Sequence, residues 1–361
     1  MADSHASVGI EIERTRTPRP RPAEEGLGFG KYFTDHMFVA RWDGSRWGAP
    51  RIVPYAPFEM DPAASVLQYA QSVFEGLKAF RDPKGNAHRL FRGDRHAARM
   101  NSSARRICLP EVPEALFLSA VRSLVLVDHD WMPKLEDTSL YIRPTIIGDE
   151  GFLGVRPAKS AVFYVILSPV GSYWQGARRP LKLWVEQEFV RAAPGGTGAA
   201  KTGGNYAASL LAAEHAKKRG FDQVLWLDGA ERKFVEEVGT MNFFARIGDE
   251  VITPPLDGTI LPGVTRDSVL HLLREWNIPV VERRLAYAEL VAAQNNGTLR
   301  ELFGTGTAGI VAPVGELGTE GSTLTVADGA EGSLTTRLYD EIRGIHTGTV
   351  ADRHGWLSPV D

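Results

Sequence analysis

GGTGAAKTGGNYAASLLAAEHAKKRG, running from Gly195 to Gly220, sets one lysine, Lys201, in a glycine-rich loop that leads into an amphipathic helix with its own tyrosine, Tyr206. Five glycines within ten residues let the backbone bend tightly around the lysine, through conformations closed to residues with a Cβ. Gly195 to Thr202 reads G-G-T-G-A-A-K-T and misses the phosphate-loop pattern G-x-x-x-x-G-K-[ST] by one residue, Ala200 standing in place of the second glycine. LKLWVEQEF, Leu181 to Phe189, supplies the strand such a loop needs. Gly203, Gly204 and Asn205 are expected to interrupt the helix that should start at the lysine. From Tyr206 to Ala216 the pattern is helical, with Leu210, Leu211 and Ala213 on an apolar side. The loop is therefore anchored downstream, and Lys201 is the candidate reactive amine.

Composition frames that choice. At 361 residues and 43% hydrophobic, the chain can bury a large core and divides by size into two domains. A formal net charge of −3, from 41 basic and 44 acidic side chains, gives no electrostatic reason to expect nucleic acid or an anionic membrane as partner. Small molecules remain. The sole cysteine, Cys108, rules out an internal disulfide framework or a multi-cysteine metal site and fits a reducing compartment. No apolar run reaches the ~20 residues that cross a bilayer, so a soluble cytoplasmic protein is expected.

Residues 1–26 include the proline-broken, charged run TRTPRPRPAEEG and are expected to form a disordered tail. HMFVARW, His36 to Trp42, alternates as a strand, Gly44 makes the turn, and RWGAPRIVPY, Arg46 to Tyr55, returns as its hairpin partner. Helical periodicity follows at Ala63–Leu77, Arg92–Ile107 and Glu114–Met132, then strands at SLYIRPTIIG and SAVFYVILSPV. The order is segregated α+β. A small N-terminal α/β domain over 27–170, an interdomain loop over 171–180 and a larger, more β-rich C-terminal domain over 181–361 are expected.

Candidate partners for the lysine recur at wide spacing. Glu236 and Glu237 lie in a β-forming run, VEEVGTMNFFAR, where successive side chains face opposite ways, so one points inward and the other should be solvated. Gly263, Val264 and Thr265 stand at a helix start, where unpaired N–H groups attract an anion. Gly304-x-Gly306-x-x-Gly309 formally matches the dinucleotide glycine fingerprint, but IVAPV after it reads as strand, so a glycine turn exposing N–H groups and the hydroxyls of Thr305 and Thr307 fits better.

FGKYFTDHMF, LQYAQSVFEGLKAF, SLYIRPT, GGNYAASLLAAE, VEEVGTMN, LDGTILPGVTRDS and FGTGTAGIVAPV together, in this order, make the chain resemble the branched-chain amino-acid aminotransferases of the fold-type IV pyridoxal-phosphate enzymes, from Leu27 to the C-terminus. The resemblance implies a barrel-like β core in the larger domain, pyridoxal phosphate between the domains, and at least a homodimer. It makes Lys201 the Schiff-base lysine and proton carrier, Glu237 the partner of the pyridine nitrogen, and Tyr206 the residue facing the phenolic oxygen. It makes Arg99 the phosphate-binding arginine, joined by Leu261, Gly263, Val264, Thr265 and Thr307, with Thr240 also beside the cofactor. For the substrate it points to Phe29, Tyr69, Tyr141, Val155, Tyr173 and Thr240 as apolar walls, with the Thr307 and Ala308 N–H groups near the α-carboxylate.

Arg143, two residues from Tyr141 on one strand, faces the same way and is the candidate for the γ-carboxylate of glutamate. The implied reaction exchanges amino groups between leucine, isoleucine or valine and 2-oxoglutarate. No metal is called for. A D-amino-acid aminotransferase or aminodeoxychorismate lyase would keep Lys201 and Glu237 but need other substrate residues. A phosphate-loop protein would use Lys201 and Thr202 on ATP with magnesium, and a non-catalytic pyridoxal-phosphate carrier would fail a half-transamination assay.

Overall fold

The computed structural model describes residues 9–82, 88–174, 176 and 178–360. Two compact units emerge: Met1–Tyr173 with Ala200–Gly204 and Gly344–Asp361, and Trp174–Ala199 with Asn205–Arg343. The chain changes unit inside the expected 171–180 loop, of which 175 and 177 fall outside the described residues. The second domain does not run unbroken from 181: Lys201 and its neighbours, and the last 18 residues, belong to the first unit.

The first unit is a nine-stranded sheet covered by helices. Its spine is β7 (Ser139–Gly148) against β8 (Ala161–Val170), long apolar runs almost wholly buried, as suits central strands. The hairpin of β2 (His36–Trp42) and β3 (Arg51–Pro54) adds to one side, turning at Gly44 with φ +101°. β5 (Leu77–Arg81), β6 (His88–Phe91) and the C-terminal strand Leu357–Pro359 extend the other. Helices α2 (Gly93–Arg106) and α3 (Glu114–Val127) form as their periodicity predicts, burying Met100, Phe117 and Val121 against Phe163 and Leu167.

Two expectations for this unit fail. Within the supposed disordered tail, residues 1–8 lie outside the described residues, but the arm from 9 to 26 is bound. β1 (Glu11–Ile12) pairs in parallel with β3, the Thr15 N–H donates to His36 Nε2 at 2.9 Å, and Arg19 lies over the Tyr55 ring. Proline-rich composition measures what a segment can bury by itself, and this one is held by partners elsewhere in the chain. The helix expected over 63–77 is only Ser65–Tyr69 (α1), because Ala70 turns left-handed at φ +50°. The Ser65 hydroxyl then donates to Gln71 Oε1, and Ser72–Phe74 becomes a strand (β4) on β7. Val73, Glu75 and Leu77, all fully buried, follow the strand period of two.

In the second unit six strands close on themselves: β9 (Leu181–Val185), β10 (Gln223–Leu227), β11 (Val235–Val238), β12 (Met241–Ile247), β15 (Leu299–Gly306) and β16 (Ile310–Thr319), with β11 pairing back to β12. Leu183, Leu225, Phe243, Leu302 and Val314 fill the interior. β13 (Glu250–Thr253), β14 (Val280–Glu282) and β17 (Ser322–Thr325) extend the ring, and α5 (Val264–Glu275), α6 (Tyr287–Asn295) and α7 (Ser333–Thr347) complete the element order.

Helix α4 (Gly203–Lys218) corrects two further expectations. It starts directly after Thr202, with Gly203, Gly204 and Asn205 inside it. Its packed side is Ala212 and Ala216, small enough to approach Val224 and Trp226 closely, while Leu210 and Leu211 are exposed. No helix among the described residues is long and apolar enough to cross a membrane.

Candidate active site

Lys201 is held by its main chain. Its N–H donates to Ser103 Oγ at 2.9 Å, its carbonyl accepts the Phe74 N–H at 3.1 Å, and Thr202 bridges to Val73. The misread strand β4 is thus what fixes the lysine. Its ammonium lies 4.8 Å from the centre of the Phe74 ring, and the Arg143 guanidinium lies 4.8 Å from the same ring. Helix α2 carries His96, Arg99 and Ser103 at spacings of three and four, one buried stripe.

That stripe meets Glu75, which directly follows β4 and is fully buried. Glu75 accepts from Arg99 Nε at 2.7 Å and Arg99 Nη2 at 2.8 Å, a forked ion pair, and bonds His96 Nδ1 at 2.7 Å. Burial by itself pushes the Glu75 carboxyl up, but the Arg99 and His96 charges and hydrogen bonds outweigh it and hold the group well below the usual carboxylate range. Burial, with the nearby Arg99 and Lys201 charges, keeps the His96 imidazole below its ordinary value against the pull of Glu75. Gly76 has to be glycine, since a Cβ would overlap the Tyr141 hydroxyl.

Tyr141 and Arg143 do share a face of β7. Arg143 Nη2 donates to the Tyr141 hydroxyl at 3.1 Å, Phe29 meets the Tyr141 ring edge-on at 4.8 Å, and Arg143 Nε is buried without a hydrogen-bond partner. The other expected walls are not enclosed within the chain. Val155 is 88% exposed, Phe29, Tyr69 and Tyr173 are exposed as well, and Thr240 lies open in the β11–β12 turn. The Tyr69 hydroxyl is spent on the Leu153 carbonyl.

In the second unit Glu237 pairs with Asn242 across β11 and β12, and Asn242 with Thr305 across β12 and β15, so the three side chains line one face. Glu237 Oε1 accepts the Leu261 N–H at 2.9 Å, and Oε2 lies 2.7 Å from Arg191 Nε. The Thr305 hydroxyl is buried with no hydrogen-bond partner. Gly263 precedes α5 and is pressed onto this face, because a Cβ there would overlap Asn242 Oδ1. Val264 and Thr265, both buried, form the first turn of α5, whose N–H groups point out of the helix end.

Glu236 is not solvated, as the alternation suggested. It is buried, because β11 is covered on both faces, and it accepts the Thr259 hydroxyl at 2.6 Å. Burial, the largest influence, raises its carboxyl. Thr307 and Ala308 form the turn between β15 and β16, half exposed, and the chain continues as strand from Ile310, which excludes a dinucleotide fingerprint. Tyr206 sits in the first turn of α4, half buried.

Taken by itself, each unit holds groups that suit a phosphorylated pyridine aldehyde: the first a primary amine with a fixed main chain and a buried arginine, the second a carboxylate, a helix N-terminus pressed against Asn242 on the same face and a hydroxyl without a hydrogen-bond partner. Phe74, Glu75, His96, Ser103, Arg191 and Asn242 escaped the sequence reading. For His96, Arg99 and Ser103 the helical spacing was a usable signal; Arg191 had none.

The Amino-transferase class IV family model matches residues 72–317. Branched-chain-amino-acid aminotransferase 2 of Bacillus subtilis (strain 168) is 50% identical over 335 residues, 92% of each chain. A solved branched-chain amino acid aminotransferase of Escherichia coli superposes with a TM-score of 0.75 at 28% identity, covering 91% of this chain and 99% of that one. The branched-chain aminotransferase of the thermophilic archaeon Thermoproteus uzoniensis, solved with norvaline, gives 0.73 at 26%, covering 90% and 100%.

Proposed function

The chain belongs to the amino-transferase class IV family, with the fold-type IV architecture of the branched-chain enzymes, and from that premise we propose how its residues divide the work. It transaminates branched-chain amino acids. We assign 2-oxoglutarate as the amino acceptor and pyridoxal phosphate as the cofactor. The observation that carries the assignment is Lys201, fixed by its main chain to Phe74 and to Ser103, the latter on the helix stripe that also holds the buried Arg99.

Bound pyridoxal phosphate supplies an electron sink for the charge left on the substrate α-carbon when its proton departs. Lys201 would hold its aldehyde and, once released, is the amine that carries the α-proton. Arg99, oriented by Glu75, and the turn of Leu261, Gly263, Val264 and Thr265, with Thr307, would hold the phosphate. Glu237 would be the anion for the pyridine nitrogen, Tyr206 would face the phenolic oxygen, and Thr240 would lie beside the cofactor. Phe29, Tyr69, Tyr141, Val155, Tyr173 and Thr240 would bound the aliphatic side chain, the Thr307 and Ala308 N–H groups would take the α-carboxylate, and Arg143 the γ-carboxylate of glutamate.

At least a homodimer is part of the proposal. Leu67, Phe152, Leu153 and Val155, in and beside the segment that lies open in the single chain, make an exposed apolar group of the kind that marks a contact surface. A cytoplasmic location agrees with a lone free cysteine, Cys108.

The test is the absorbance spectrum of the purified protein before and after leucine, alongside Lys201→Ala. The wild type is expected to carry a visible band that leucine changes, and the variant to lose nearly all turnover. A variant transaminating at a rate near wild type overturns the assignment.

A further inference from the structure

Two carboxylates, Glu236 and Glu237, are buried side by side on β11, and the nearby arginine, Arg191, bonds only the second of them. Arg191 Nε lies 2.7 Å from Glu237 Oε2, with both side chains almost fully buried. The other two guanidinium nitrogens are engaged by the main chain: Nη1 donates to the Thr259 carbonyl at 2.6 Å and Nη2 to the Gly198 carbonyl at 3.2 Å. The guanidinium therefore cannot swing away. It has a fixed edge to give, and that edge is set on Glu237.

Glu236 has a different set of contacts. One oxygen accepts the Thr259 hydroxyl, which also reaches Asp257 Oδ1 at 3.1 Å, and the other is buried with no partner. Burial raises this group and the neighbouring Glu237 and Asp257 charges add to it, against the pull of the Thr259 hydroxyl and the more distant Arg191 charge. Arg191 thus places its fixed cation on Glu237, while Glu236, facing the other way on the strand, is left with the Thr259 hydroxyl.

On the reading of Glu237 as the partner of the pyridine nitrogen, we propose that Arg191 is a positioning residue for the reaction: it fixes the orientation of the Glu237 carboxylate and keeps a cation beside it, and so tunes the hold of Glu237 on the ring nitrogen. Leu261, through its N–H on Glu237 Oε1, fixes the second oxygen. With both oxygens tied, the carboxylate has one orientation to present, which is the preorganisation a proton-holding partner needs. Arg191 also holds Gly198, three residues before Lys201 in the chain.

The experiment uses the cofactor-loaded enzyme and four variants: Arg191→Gln, Arg191→Lys, Glu237→Gln and the double variant Arg191→Gln/Glu237→Gln. Visible absorbance of the bound cofactor is read together with kcat and KM for leucine. Arg191→Gln is expected to shift the absorbance spectrum and lower kcat roughly tenfold, the value of about one pKa unit at the ring partner, with KM little changed. In the double variant the arginine change is expected to add almost nothing to Glu237→Gln.

Arg191→Lys, which keeps the cation and loses the anchoring to the Thr259 and Gly198 carbonyls, should fall between wild type and Arg191→Gln, and serves as the probe if the glutamine variant does not fold. A wild-type spectrum and kcat in both single arginine variants, or losses that multiply independently in the double variant, would overturn the inference. If Glu237→Gln itself has a wild-type spectrum and rate, the underlying reading of Glu237 fails instead, and the two failures are thereby separable.

Discussion

In the proposed division of roles, Arg143 bears the demand that one place accept first an aliphatic side chain and then a carboxylate. Its guanidinium rests on Phe74 and Tyr141 and shares a hydrogen bond with the Tyr141 hydroxyl, so it stays partly satisfied when leucine is present, while its Nε is buried and unspent. Arg143→Gln is expected to weaken the half-reaction with glutamate or 2-oxoglutarate by about ten- to hundredfold more than that with leucine, the value of a charged hydrogen bond. Stopped-flow measurement of both halves decides it; equal effects leave Arg143 a structural role. The glutamate pair makes a second case. Glu236 accepts only the Thr259 hydroxyl through one oxygen and has no ion pair to lose, so Glu236→Gln should cost little rate. Glu237→Gln breaks the ion pair with Arg191 and should cost much. Similar kcat losses for the two would mean the wrong neighbour had been chosen.

At the scale of an element, the proposed phosphate site rests on the junction of Gly263 with α5. A Cβ at Gly263 would meet Asn242 Oδ1, the residue that ties β12 to the Leu261 carbonyl at 2.8 Å. Gly263→Ala must therefore push α5 off that face, at an overpacking cost of about 1–3 kcal/mol. Calorimetry is expected to show a lower melting temperature together with weaker binding of pyridoxal phosphate; an unchanged affinity would remove this helix end from the phosphate site. The same element scale explains what could be read in advance. The 36–55 hairpin, α2 and α3 were legible because each declares its period within its own residues. The 63–77 segment was not: Val73 and Leu77 fit both a helical and a strand period, and the choice fell to Ala70 turning left-handed and to β7 offering an edge. In α4 the leucines drew the eye, yet the sheet accepts alanines because it needs close approach. The lysine loop and the α5 start were legible as glycine-bearing turns; Glu75, Arg191 and Asn242 act through residues 24, 46 and 5 positions away, and no local pattern encodes such pairings.

At the scale of the whole molecule, buried titratable groups shape the acid limit of stability, and His346, outside the proposed chemistry, is one of them. It lies between Phe80, stacked at 4.4 Å, and Phe91, edge-on at 4.3 Å, with neither ring nitrogen hydrogen-bonded. Burial, with the Lys78 charge, pushes it from 6.5 down to about 3. The unfolded chain therefore binds a proton below about 6.5 that the folded chain refuses. Stability from this group is intact above 6.5 and falls as pH drops toward 3, by about 2 kcal/mol at pH 5 on the linkage relation. Glu75 adds a second loss in the same direction: its folded value lies below the ordinary 4.5, so the stability it contributes is present above 4.5 and lost as pH falls further. His346→Leu removes the first loss and keeps the second. It also deletes a buried, unpartnered N–H, worth about 1–3 kcal/mol at any pH. The variant is expected to melt higher than wild type at pH 8, to gain further on it at pH 5, and to converge on the same steep decline below pH 4.5. Melting temperatures of the loaded enzyme from pH 8 to 4 test this. A slope between pH 6.5 and 5 unchanged by His346→Leu would show that the acid limit is set elsewhere, leaving the histidine solvated enough in the folded chain to take up its proton.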